Sequence, residues 1–149
     1  IVKIKGVDVV LQELWKFGND WVFDSRLSYT YQKAQDFTDK SDKDTYGGQI
    51  SYIPWHSGSA ILNAGYKSWE LNYSFIYTGE RYDVSANTPE NYRLPWYTSD
   101  FSLAKKFSWR KYDFKLTLEV NNIFNQQYEV VRSYPMPGTN FKFILNLTI

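Results

Sequence analysis

Few side chains in this sequence are equipped for covalent or metal chemistry. It holds one His (His56), one Met (Met136) and no Cys. Disulfides and thiolate-bound metals are excluded, and one His without Cys cannot assemble a zinc ligand set. His56 or Met136 could serve as a single axial ligand to haem iron, but neither has a partner motif. Ser, His and Asp are all present, yet no nucleophile elbow surrounds any Ser. The carboxylates Asp36, Asp39 and Asp42 alternate with Lys40 and Lys43. They lack the spacing of a calcium loop and read as a solvated stretch.

The chemistry on offer is therefore adhesive. Arg81, Tyr82, Tyr92, Arg93, Trp96, Tyr97, Arg132 and Tyr134 combine guanidinium groups with large rings. Such residues hold a small ligand by stacking and charge-assisted hydrogen bonds. The competing reading for Arg81, Tyr82 and Tyr134 is loop bracing. No catalytic residue, cofactor or metal site is expected, and a net charge of +1 gives no reason to expect a nucleic-acid partner.

The elements that must position these residues have a period of two. Tyr112, Phe114, Leu116, Leu118 and Val120 alternate with Asp113, Lys115, Thr117 and Glu119, which is strict strand patterning. Residues 141–149 repeat it, with Ile144 as the exception on the polar side. Residues 69–78 and 21–32 do the same, the latter broken by Ser25. Weaker strands are expected over 58–66, 98–107 and 2–17. In the last of these the apolar parity switches from Val2 and Ile4 to Val7, Val9, Leu11 and Trp15, and Gly6 at the switch predicts a β-bulge.

Seven antiparallel strands result, several about ten residues long, the length a tilted strand needs to cross a bilayer. Tight connections at 18–20, 67–68 and 108–111 alternate with long ones at 37–57, 79–97 and 121–140. All tight turns then share one rim and all long loops the other, as in outer-membrane barrels. Trp15, Trp21, Trp69 and Trp109 lie in or beside the tight turns and suggest an interfacial girdle. Trp55 and Trp96 fall in the long segments.

Composition fits a wall that is apolar on one side and wet on the other. Aromatic residues make up 19% of the chain, yet the mean hydropathy is negative. No apolar run approaches the length of a membrane helix, and the first residues do not form a signal peptide. An open seven-stranded sheet would leave unpaired backbone groups in hydrocarbon. Further strands are therefore expected upstream, with Arg26, Glu70, Glu119 and Lys142 lining a polar lumen.

Residues 118–138 carry a more specific pattern. Asn122-Ile123-Phe124, then Tyr128-Glu129, then Pro137-Gly138 resemble the C-terminal signature of TonB-dependent receptors. Thr139 stands where Arg often follows the Gly. In the same order, Lys5-Gly6-Val7-Asp8, Ser28-Tyr29-Thr30-Tyr31, Ile53-Pro54-Trp55-His56 and Thr78-Gly79-Glu80-Arg81-Tyr82 are similar to strand boundaries of that family. Ile149 replaces the aromatic that commonly ends such chains.

The resemblance implies that residues 1–149 are the C-terminal part of a transmembrane β-barrel, the last seven of about 22 strands. It implies a plug and a TonB-contacting segment upstream, an outer-membrane location in a Gram-negative bacterium, and uptake of a small ligand of the cobalamin, siderophore or haem type. Its partners would be outer-membrane lipid, the plug, TonB and the substrate, with room for a surface lipoprotein. A passive porin-like channel and a soluble ligand-binding β-barrel are the alternatives.

Overall fold

The computed structural model describes residues 1–148; Ile149, expected at the end of the last strand, lies outside the described residues. Seven long strands form one antiparallel sheet. They are β1 (Val2–Phe17), β2 (Trp21–Asp36), β3 (His56–Tyr66), β4 (Trp69–Thr78), β7 (Trp96–Trp109), β8 (Tyr112–Asn121) and β11 (Asn140–Thr148). Their order follows the chain, β1-β2-β3-β4-β7-β8-β11. Two short ribbons sit in the long connections: β5 (Arg81–Tyr82) with β6 (Tyr92–Arg93), and β9 (Glu129–Val131) with β10 (Tyr134–Pro135). β1 and β11 each pair on one side only, so the sheet of this chain is open.

The register sorts every side chain onto one of two faces. Leu71 stands opposite Ala64 and Leu103; Leu103 stands opposite Leu118, and Leu118 opposite Phe143. The same face carries Val9, Leu11, Leu27, Tyr73 and Phe101. Glu13, opposite Ser25, breaks it close to the turn rim. The reverse face is mostly polar and internally paired from β2 onward, whereas on β1 it carries the exposed Val2, Ile4, Val10 and Leu14. Asn63 Nδ2 donates to Asp24 Oδ2 at 3.2 Å, and Asn72 donates in turn to Asn63. Glu70 is shared by Lys106 and by Lys115, the latter at 2.6 Å. Lys142 and Asn121 both reach Glu119 Oε1, at 2.9 and 2.8 Å.

Apolar burial does not lie inside this chain. Ala34 and Ala104 are its only buried apolar residues among those described, whereas Leu11, Leu62, Leu118, Phe143 and Leu145 all lie exposed on one face. A contiguous apolar surface of this extent needs a covering medium.

Gly6 does not form the expected bulge. The β1–β2 register runs from Val2↔Asp36 to Phe17↔Trp21 without a shift. The parity switch has another cause. Above Val7 and Tyr31 the apolar face becomes Lys5, Lys33, Lys3 and Gln35, so the surroundings change there while the strand continues. Gly6 is required for close approach, because a Cβ there would lie 2.7 Å from the Tyr31 carbonyl oxygen. β2 also runs four residues beyond its expected end at 32, and the last tight turn narrows to Arg110 and Lys111.

Aromatic belts mark both rims of the apolar face. At the turn rim Trp21 packs on Tyr66 with ring centroids 4.3 Å apart, and Phe107 stacks on Phe114 at 5.1 Å. Cations cover the outer edge of this belt: Lys105 lies 4.1 Å over Trp69 and Arg110 4.9 Å over Trp109. The loop-rim belt was not apparent in the sequence. It comprises Tyr29, Tyr31, His56, Phe75, Tyr97 and Phe124.

Candidate functional site

Recesses of polar and aromatic side chains occur at both rims, one at the turn rim between Asn19, Trp69 and Lys115, but the long connections lie only at the loop rim. The turn rim has only short connections. The three long connections are tied to one another by side chains that act as extra backbone. Asn87 Oδ1 accepts the Gln49 N–H at 2.6 Å, and its Nδ2 donates to Gln49 O at 3.0 Å. Gln49 Nε2 donates onward to Ile53 O at 2.7 Å. The Asn87 bonds, with Gln49 Nε2 to Glu80 O at 3.2 Å, join the connections after β2 and after β4. Gly79 allows the second to leave the sheet: its N–H donates to His56 O at 2.8 Å, and a Cβ there would lie 2.6 Å from that oxygen.

The β5–β6 ribbon places Arg81 opposite Arg93. Two like charges in direct cross-strand contact repel, and Asp83 relieves the repulsion. Its Oδ2 accepts Arg93 Nε at 2.8 Å and a second Arg93 N–H, with Arg132 Nη1 at 3.5 Å. Arg81 turns the other way, donating Nη2 to Glu129 O at 2.8 Å and Val130 O at 3.3 Å. It thereby ties β5 to β9. Burial pushes the Arg81 guanidinium below its usual pKa; the nearby Tyr52 opposes that fall and the Arg93 charge adds to it. A guanidinium nevertheless stays charged throughout the physiological range.

Beside this cluster lies a cleft of about 480 Å³ on the rim of the polar face. Tyr92, Arg93 and Trp96 form one wall, and Gln127, Tyr128 and Glu129 the other. Trp96 opens β7 opposite Thr78, on the polar side, and packs on Tyr128 with centroids 4.5 Å apart and the ring planes tilted by 31°. Burial, and secondarily the Asp100 carboxylate, push the Tyr128 phenol above its ordinary pKa. Four buried polar atoms in this loop layer have no protein partner: Trp55 Nε1, Arg81 Nη1, Asp83 Oδ1 and Trp96 Nε1. Each is left for a partner outside these residues.

The eight aromatic and basic candidates separate accordingly. Tyr92, Arg93 and Trp96 line the cleft. Arg81 stands behind it as a strut, Tyr82 packs edge-on against Tyr92 at 5.7 Å, and Arg132 leans on Asp83. Tyr134 projects into solvent from β10, 72% exposed. Tyr97 stands in β7 opposite Tyr77, on the apolar face. His56 is also on that face, with its Nδ1 2.8 Å from Tyr29 Oη. Arg26, Glu70, Glu119 and Lys142 all lie on the polar face of the sheet.

Two contributors escaped the sequence reading. Asp83 is one; its signal was the pairing of Arg81 with Arg93, which demands a counterion. Tyr128 is the other, noted for its motif and not as a cleft wall. Of the motif residues, Asn122 closes the turn after β8, buried with φ 51°. Glu129 Oε2 accepts the Ser133 N–H at 2.9 Å and shapes the β9–β10 ribbon. Gly138 packs against Asn125, and Phe124 joins the loop-rim belt at 6.3 Å from Tyr97.

Among known families, the model described as "TonB dependent receptor-like, beta-barrel" matches residues 2–123. The match runs from β1 to the Asn122 turn and leaves the β9–β10 ribbon and β11 outside it. No curated protein matches the chain.

Proposed function

Because the chain belongs to the TonB-dependent receptor-like β-barrel family, we propose that it forms the C-terminal wall and outer loops of an active outer-membrane importer. The family is one of outer-membrane transporters. The apolar face lies against lipid, the paired polar face lines the lumen, and the loop rim faces the outside. Strands beyond β1 and β11 close the barrel, so that no backbone edge meets hydrocarbon. A plug within that barrel and a segment that engages TonB are its other parts.

The ligand is a scarce small molecule of the metal-chelate kind, such as a siderophore complex, haem or cobalamin. It is received at the loop rim, where Arg93, ion-paired to Asp83, and the packed rings of Trp96 and Tyr128 border open volume. A single observation carries this reading: rows of opposite polarity run across the sheet from β2 to β11, with the long connections gathered on one rim beside the cleft.

Uptake of candidate ligands by cells producing the whole receptor tests the proposal. Accumulation should require TonB and an energised inner membrane, while surface binding persists without either. Accumulation that continues at the same rate without TonB would instead indicate a passive channel.

A further inference from the structure

The β5–β6 ribbon separates cations from rings. Arg81 stands opposite Arg93, and Tyr82 opposite Tyr92. Neighbouring residues of a strand point to opposite sides, so the guanidinium pair takes one side and the two phenol rings the other. On the ring side, Glu80, Tyr82 and Tyr92 border a second recess of the loop layer, about 220 Å³ in volume. Gln49, Trp55 and Asn87 line it from across the gap. Tyr92 also borders the cleft described above, so a single ring divides the two spaces. The walls belong to the connections after β2 and after β4, and β2, β3 and β4 are all paired on both sides.

The recess has spent its amide donors and kept its acceptors. Gln49 Nε2 donates to Ile53 O at 2.7 Å and to Glu80 O at 3.2 Å. Asn87 Nδ2 donates to Gln49 O and to Ser85 O, both at 3.0 Å. The two carbonyls fix the orientation of the Gln49 amide, and its Oε1 is left as an acceptor. Glu80 adds a carboxylate that joins no ion pair among the described residues. Neither Lys nor Arg lines the space. Lys33 Nζ sits 4.9 Å over the Trp55 ring, which leaves Tyr82 and Tyr92 as the rings for an occupant. Their planes meet at 72° with centroids 5.7 Å apart, so they form a corner and not a stack. Partial burial, and next the Glu80 charge, push the Tyr92 phenol above its ordinary range, which places the carboxylate near that corner.

We propose that this recess binds the primary ammonium group of a small organic amine. The faces of two rings attract a cation. The Glu80 carboxylate and Gln49 Oε1 accept its N–H groups. An anion would meet neither a cation nor an unspent amide donor there. The site goes beyond the transport reading, because binding in the recess involves neither TonB nor an energised membrane.

The test uses the whole receptor, purified in detergent and titrated with the diamine cadaverine or with the uncharged diol of the same chain length. Saturation-transfer NMR follows binding of each. The diamine should bind about tenfold more tightly than the diol. Glu80→Gln should weaken diamine binding by about the same factor. Glu90→Gln removes a carboxylate from the same connection, outside the recess, and should leave binding unchanged. Heat-modifiable gel migration confirms that each barrel is folded, and the comparison of diamine with diol on the unmodified receptor needs no variant. Equal affinity for the two probes, or equal weakening by Glu80→Gln and Glu90→Gln, would overturn the proposal. Uptake that proceeds without TonB would count against the transport reading and leave this result as it stands.

Discussion

Asn122 and Gln126 exchange two hydrogen bonds through one side chain. Asn122 Nδ2 donates to Gln126 O at 2.9 Å, and the Gln126 N–H donates to Asn122 Oδ1 at 2.9 Å. The Asn122 N–H meanwhile donates to Asp100 Oδ1 at 2.7 Å. The side-chain amide thus imitates a strand partner where β8 stops pairing with β7. This explains why Asn is needed, since its amide both donates and accepts and it tolerates the left-handed backbone.

Replacing Asn122 by Ala removes both bonds and leaves buried groups unpaired in a left-handed turn. The expected loss is about 2–4 kcal/mol. Equilibrium unfolding in lipid vesicles measures it. Asn122→Gly, which relieves the backbone strain, should lose measurably less.

Arg81 ties the connection after β4 to the one after β8. Arg81→Met keeps much of its bulk and removes both bonds to the β9 carbonyls. Limited proteolysis should then cut within residues 126–136 several-fold faster, at unchanged barrel migration. An unaltered cleavage rate would show that the strut is dispensable.

Tyr128 titrates above the ordinary tyrosine value of about 10. A raised folded-state pKa means that its neutral form contributes stability fully below the unfolded value, and the contribution is lost as pH rises through the folded value. Absorbance near 295 nm should therefore show late-ionising phenols in alkali, Tyr128 and Tyr92 among them, with the loops loosening as Tyr128 ionises. Tyr128→Phe should reduce that late component by one phenol and leave the Tyr92 part in place.

Leu103 and Ser102 are neighbours on opposite faces. An Arg at Leu103, among Leu71 and Leu118, should cost about 2–4 kcal/mol if lipid covers that face. Ser102→Arg, beside Asn72 and Glu119 on the polar face, should cost under about 1 kcal/mol. Similar losses at both positions would contradict the face assignment.

The two faces were legible because burial on one side only forces a period of two. Residues 112–120 show it without exception, and Ile144 was correctly left on the polar side opposite Thr117. The parity switch at Gly6 was visible but misread. Periodicity reports a change of surroundings, and a bulge and a membrane boundary give the same signal. The loop-rim belt was hidden because its members come from β2, β3, β4, β7 and the turn at Phe124, far apart in sequence. Loop contacts such as Asp83 with Arg132 depend on folding geometry that no local pattern encodes. The same holds for Tyr97, whose place among the loop candidates changed once its register with Tyr77 was known.

The most direct test of the account is solvent contact, residue by residue, along β4. The chain contributes no native Cys, so single Cys substitutions at positions 70–77 of the whole receptor can each carry a spin label in lipid vesicles. Labels at Leu71, Tyr73, Phe75 and Tyr77 should collide with oxygen and avoid a water-soluble nickel complex. Labels at Glu70, Asn72, Ser74 and Ile76 should show lower oxygen exposure, out of phase by one residue. Oxygen and nickel accessibilities that rise and fall together along the strand would mean that water, not lipid, covers the apolar face, and would contradict the transporter-wall assignment.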